Sequence, residues 1–167
     1  MVVMLRCSSV SIKKRGVFMR GMGNIVVVVA LCALLIGVVG CTTTAGGEGR
    51  IEWLSSWGDA LDKAQAENKP IMVNFYTDVC PACKKLDETT LSDKDLSNFL
   101  NENFACLKSN AGKSSLHQFY TIRAVPTTVF TKPDGSEIGR IVGAAAVADF
   151  YQNSLVVLDI WENELQN

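Results

Sequence analysis

Beyond Cys41 the sequence has no basic excess, and that removes one large class of partner. All 17 acidic residues follow this cysteine, whereas Arg6, Lys13, Lys14, Arg15 and Arg20, five of the 16 basic residues, precede it. The remaining 11 basic and 17 acidic residues leave a charge of −6 on the part beyond Cys41. Phosphate binding needs a basic face, so no nucleic-acid partner is expected. Nor does any apolar run reach the ~20 residues that cross a bilayer comfortably as a helix. No internal repeat is visible, which speaks against a solenoid or propeller. A length of 167 residues accommodates one domain and a targeting segment, not comfortably two domains.

Most of the apolar character implied by a mean hydropathy of +0.18 sits in one block, Ile25–Val39. At 15 residues, with basic residues before it and small residues after it, the block has the order of a secretory signal. Met19 and Met22 inside the long basic lead offer alternative starts. The block closes as Val38-Val39-Gly40-Cys41, followed by Thr42-Thr43-Thr44-Ala45-Gly46-Gly47. This string resembles a bacterial lipobox, although Val38 stands where Leu is usual. The resemblance implies a signal peptide over residues 1–40 and lipidation of Cys41. The alternative is an uncleaved, short membrane anchor; both readings place the domain outside the cytoplasm, at a membrane. Residues 41–50 then form a flexible, lipid-anchored tether, small, polar and Gly-rich, with a root-mean-square reach of about 15–18 Å. Residues 51–167 are left for one compact domain.

Within that domain the pattern alternates. Trp53, Leu54, Trp57, Leu61 and Ala64 recur at helical spacing, making Trp53 and Trp57 core anchors, and Asn68-Lys69-Pro70 stops the run. Ile71–Tyr76 reads as a strand and Pro81 to about Thr89 as a helix. A further helix is expected from Ser92 as N-cap to Phe99 or beyond. Phe104–Leu107 reads as a strand and Ser114–Tyr120 as a short helix. Thr127–Phe130 and Glu137–Val142 read as strands joined by a turn at Lys132-Pro133-Asp134-Gly135. A last amphipathic helix covers Val147–Glu164. This implies an α/β architecture, a mixed central sheet with helices on both faces.

Cys80-Pro81-Ala82-Cys83 falls between the first strand and the helix that follows. A thiolate at a helix N-terminus is stabilised by unpaired N–H groups and the macrodipole. Cys80 is therefore the candidate nucleophile, and Cys83, one turn inside, the resolving thiol. Half of a zinc site is one alternative, but Cys106 and His117 are isolated and no second ligand pair exists, so no metal is expected. Haem attachment needs His after the second cysteine, where Lys84 stands. A structural disulfide stays open, since exported proteins favour oxidised cysteines. Cys106, among Phe104, Ala105 and Leu107, reads as a buried, inert thiol.

A second signature follows about forty residues later, Ile122-Arg123-Ala124-Val125-Pro126-Thr127-Thr128. With Cys80–Cys83 it resembles the thioredoxin superfamily, and Ile141-Val142-Gly143-Ala144 fits the same family. The string from Phe75 to Leu86, with Thr90-Leu91-Ser92-Asp93, is similar to the C-terminal periplasmic domain of DsbD thiol reductases and to small thioredoxin-like lipoproteins. The resemblance spans about Ile51–Leu158 and implies a thioredoxin fold. It also implies a cis Pro126 facing the cysteines and a Val125 backbone that pairs with substrate. The expected activity is thiol–disulfide exchange with no cofactor beyond the Cys80–Cys83 disulfide.

Two positions depart from the family. Val79 replaces the usual Trp before the first cysteine. Asn74 replaces the buried carboxylate that shuttles the resolving thiol's proton, leaving water or Asp78 for that task. Pro81 and Ala82 offer no group that would make a strong oxidant, and the charge of Asp78 raises the Cys80 pKa. A reductant or mild isomerase of protein disulfides is expected, supplied by a membrane-proximal electron donor and acting as a monomer. The competing reading is a thioredoxin-fold binding or chaperone module with a structural disulfide.

Overall fold

The computed structural model describes residues 49–166. Cys41, the signal segment and all of the tether except Gly49 and Arg50 lie outside them. The elements are α1 (Trp57–Glu67), β1 (Ile71–Tyr76), α2 (Pro81–Thr89), α3 (Lys94–Asn103), β2 (Ala105–Asn110), α4 (Leu116–Phe119), β3 (Thr127–Thr131), β4 (Glu137–Val142) and α5 (Val147–Leu165). The sheet order is β2-β1-β3-β4. β1 runs parallel to β2 and antiparallel to β3, and β3 runs antiparallel to β4, so the sheet is mixed.

Residue alternation along β1 sends side chains to two cores. Met72 packs with Leu86, Leu96, Leu100, Phe104, Phe130, Phe150 and Val157, which bring α2, α3 and α5 to one face. Ile71, Val73 and Phe75 pack with Ala60, Ala64, Val129 and Tyr120, which bring α1 and the end of α4 to the other. Burying each large apolar side chain contributes roughly 1.5–3 kcal/mol before chain entropy is set against it. The expected α/β thioredoxin fold with helices on both faces is the one observed.

Element boundaries depart from the periodicity in informative places. The first helix starts at Trp57, not Trp53, because Ser56 caps it by accepting the Asp59 N–H at 3.1 Å. Leu54 instead forms a parallel bridge with Leu107, donating its N–H to the Cys106 carbonyl at 2.8 Å. Trp53 therefore anchors the segment before α1 and packs against the α2–α3–α5 core. The cap of α3 is Asp93, which accepts the Leu96 N–H at 2.9 Å, while the Ser92 hydroxyl donates to the Glu88 carbonyl. β2 starts one residue later than expected and runs on through Lys108, Ser109 and Asn110. The parallel ladder with β1 carries those polar residues as far as Tyr76↔Asn110. Helix α4 is only four residues long.

Candidate active site

The β1 strand delivers its C-terminal end to Thr77-Asp78-Val79-Cys80, and α2 begins at once. Cys80 is the N-cap, with extended backbone (φ −98°, ψ 103°). Its sulfur accepts the Cys83 N–H at 3.0 Å, and its carbonyl accepts the Lys84 N–H at 3.2 Å. Pro81 occupies the first helical position, where its missing N–H costs nothing and its fixed φ suits the helix. Cys80 and Cys83 are joined by a disulfide with Cα atoms 5.3 Å apart. Cys83 is 4% exposed, whereas Cys80 is half-buried and Pro81 and Ala82 are exposed. Val79 stands out from the surface at 90% exposure.

The second signature comes to the same place. The Val125–Pro126 peptide is cis, and the Val125 carbonyl oxygen lies 3.7 Å from Cys80 Sγ. Thr127 ties this loop by donating its hydroxyl to the Ala124 carbonyl at 2.9 Å. Gly143 donates its N–H to the Pro126 carbonyl at 2.8 Å from a backbone with φ +87°, a conformation that favours glycine. The fold thus brings Cys80, Cys83, Val125 and Pro126 together from segments some forty residues apart.

Asn74 and Asp78 sit differently. Asn74 is buried on β1 and donates from Nδ2 to Thr128 Oγ1 at 2.9 Å. Asp78 is exposed; its carboxylate accepts from Asn110 Nδ2 at 2.8 Å and pairs with Lys113 at 2.9 Å. That contact raises the Lys113 pKa. Of the two expectations for Asp78, proton relay or solvated loop acid, the observed contacts are those of an exposed acid tying the loop before Cys80 to the segment after β2.

Three polar neighbours escaped the sequence reading. Lys108 lies opposite Asn74 in the β1–β2 register, pairs with Asp87 of α2 at 2.7 Å, and sits over the rings of Trp53 and Tyr76. Asp87 follows Cys83 by one helical turn, a spacing that was there to be read. Thr128 lies opposite Asn74 in the β1–β3 register, a pairing that local sequence does not signal. Cys106 is buried and donates weakly to the Leu100 and Phe104 carbonyls, and desolvation pushes its thiol pKa up to about 12. Among the described residues no group of three or more His, Cys, Asp or Glu is placed to hold a metal ion.

A helix-capping cysteine, its partner one turn inside and a cis-proline loop across from them, on a mixed four-stranded sheet, define the class of thioredoxin-like oxidoreductases. Residues 57–153 match the family described as thioredoxin-like domain, and the chain belongs to that family. The thiol:disulfide interchange protein DsbD of Yersinia pestis (strain Pestoides F) is 33% identical over 96 residues, covering 54% of this chain and 16% of that protein. The DsbD of Vibrio cholerae is 32% identical over 108 residues, covering 60% and 18%. The chain therefore spans less than a fifth of the length of these relatives. The solution structure of a thioredoxin from Thermus thermophilus superposes with a TM-score of 0.57 at 27% identity, covering 66% of this chain and 86% of that one.

Proposed function

We propose that this chain is a membrane-tethered, extracytoplasmic thiol–disulfide oxidoreductase that reduces or isomerises protein disulfides through Cys80 and Cys83. The observation that carries the reading is the position of Cys80 Sγ, which caps α2 and lies 3.7 Å from the carbonyl before cis Pro126. In the dithiol form the Cys80 thiolate attacks one sulfur of a substrate disulfide, and the other leaves as a thiolate. Cys83 then loses its proton and attacks Cys80 Sγ, releasing the second substrate thiol and closing the Cys80–Cys83 bond. Two electrons have moved to the substrate, and a donor dithiol must return them. An extended substrate segment beside Val125 and Pro126 would align its sulfur with Cys80.

The reducing direction is supported by what surrounds Cys80. Pro81 and Ala82 carry no charge, and the nearest acid along the chain, Asp78, opposes thiolate formation. Export and anchoring rest on the leader and Cys41, and a short tether favours a donor in or at the membrane. The test is insulin reduction by dithiothreitol with wild type and Cys80→Ser. Turnover by wild type alone supports the reading, and equal rates overturn it. Val79 at 90% exposure and the non-titrating Asn74 favour a second reading, a peptide-binding module. Stoichiometric peptide capture by both proteins without turnover would establish it.

A further inference from the structure

The parallel bridge between Leu54 and Leu107 sends two chain segments side by side toward the C-terminal ends of β1 and β2. Two residues further on, one segment reaches Ser56, the N-cap of α1, and the other reaches Ser109. Both serines line a cleft of about 790 Å³, with Ser55, Trp57, Lys113 and Phe119 among its other walls. Volumes of this order are typical of small-molecule sites. Ser109 stands opposite Phe75 in the β1–β2 ladder, so its side chain shares the sheet face that α1 covers. It is 6% exposed. Its hydroxyl is neither hydrogen-bonded to a described residue nor sealed from solvent, so it opens onto the cleft. The Trp57 and Gly58 N–H groups begin α1 without an intrahelical acceptor. The Ser56 hydroxyl accepts from Asp59 and keeps its own proton to donate. Lys113 pairs with exposed Asp78 at 2.9 Å, a contact weak enough in water for a more highly charged anion to displace. The cleft lining holds two lysines and no acidic residue, although the sequence beyond Cys41 carries a charge of −6. Its Trp57 and Phe119 rings both lie against Tyr120, and Phe119 is 71% exposed.

We propose that this cleft binds a phosphate monoester carried on a planar or apolar body. The phosphate oxygens take the N–H groups at the start of α1, the Ser109 and Ser56 hydroxyls and the Lys113 ammonium. The body lies against the Trp57 and Phe119 rings. A carboxylate brings two oxygens and one charge to these donors. A phosphate monoester brings three oxygens and nearly twice the charge, and so fits the donor set better. The inference goes beyond the exchange reaction and uses neither Cys80 nor Cys83.

The test is calorimetric titration of the full chain with phenyl phosphate, beside inorganic phosphate and benzyl alcohol as the head and the body alone. Phenyl phosphate should bind one to one with a Kd of about 1 mM or tighter, and each half about tenfold more weakly or worse. 3-Phenylpropionate, which carries a carboxylate instead, should bind more weakly than phenyl phosphate. Lys113→Met and Ser109→Ala should each raise the Kd for phenyl phosphate by about threefold to tenfold, the range that one hydrogen bond is worth. Phe119→Ser should raise it by a similar factor through the lost ring contact. Lys113 and Phe119 are exposed, so their variants keep the test decisive if Ser109→Ala does not fold. Absence of phenyl phosphate binding, or a Kd that any one of these folded variants leaves unmoved, overturns the proposal. Benzyl alcohol or inorganic phosphate binding as tightly as phenyl phosphate overturns it too, because one half of the ligand would then suffice. Tighter binding of 3-phenylpropionate overturns the assignment of a phosphate head.

Discussion

Cys80 Sγ accepts the backbone N–H of Cys83 at 3.0 Å, so the outer sulfur caps the helix that carries the inner one. The same donors favour the thiolate over the thiol at Cys80 once the disulfide is opened, because hydrogen bonds to a charged form stabilise it. Cys83, at 4% exposure, is shielded from reagents in solution. In the reduced protein at pH 7, Cys80 should alkylate faster than Cys83 by about tenfold or more. Peptide mapping after timed iodoacetamide quenching measures this. Equal or reversed labelling would remove Cys80 as the nucleophile.

The loop ahead of Cys80 offers a paired test of charge. Asp78 lies two residues before Cys80, where a negative charge opposes thiolate formation, and it pairs with Lys113 at 2.9 Å. Asp78→Asn should lower the Cys80 pKa and Lys113→Met should raise it, each by a fraction of a unit, since both groups are exposed and screened. Thiolate absorbance near 240 nm, titrated in the reduced proteins, reads both shifts. Shifts of the same sign would show that the loop acts through its conformation and not through its charge.

Much of the site was legible because its signals are local. A strand, Cys80-Pro81-Ala82-Cys83 and a helix start follow one another directly, and Pro126 sits at the head of β3. What escaped depends on distance along the chain or on competition between near-equal choices. Ser92 and Asp93 are both good N-caps, and only the geometry of the turn after α2 decides for Asp93. Trp53 and Leu54 fit a helical period, yet the exposed edge of β2 recruits Leu54 into a bridge with Leu107. Thr128 meets Asn74 across 54 positions of sequence, a contact that only strand order can create. The expected strand stops at Leu107, where apolar content ends, whereas the pairing of Lys108 with β1 and with Asp87 carries the strand onward.

Burial sets the behaviour of the remaining described cysteine. The Cys106 thiol is raised from 9.0 to about 12 by desolvation. Between these values the unfolded chain has released the proton and the folded one has kept it. Folded stability from this group is therefore complete below pH 9 and falls as pH rises toward 12, by about 1.4 kcal/mol per pH unit at most. Cys106→Ala should lose that slope, so its urea midpoint should fall less steeply than that of wild type from pH 9 upward. Parallel curves would mean that Cys106 ionises freely in the fold. At neutral pH it should resist iodoacetamide until the protein unfolds.

Anchoring is tested at Cys41. If this residue carries the lipid, Cys41→Ser should release the domain into the soluble fraction or block removal of the leader. Fractionation with N-terminal sequencing distinguishes the two. Unchanged membrane association with an intact leader in both proteins would favour the transmembrane-anchor alternative.

The sharpest mechanistic prediction concerns proton removal from Cys83. Attack of the inner thiol on a mixed disulfide requires that it lose a proton, and general-base help of that kind is typically worth 10²–10⁴-fold. Asn74 does not titrate, and Asp78 is occupied with Asn110 and Lys113. Resolution should therefore follow the ionisation of Cys83 itself, rising with pH, and mixed disulfides should persist at pH 6. Asn74→Asp installs a titratable group at position 74, where the Thr128 hydroxyl can donate to it and where Lys108, opposite in the ladder, favours its charged form. The variant should resolve a preformed Cys80 mixed disulfide faster than wild type at pH 6 to 7, with a flatter pH profile. It should also be less stable than wild type, because a charge-capable group is buried. Single-turnover release of a thionitrobenzoate adduct on Cys80, followed from pH 6 to 9 in both proteins, makes the comparison. Rates that agree within about a factor of two across that range would show that the proton leaves by a route that does not pass position 74.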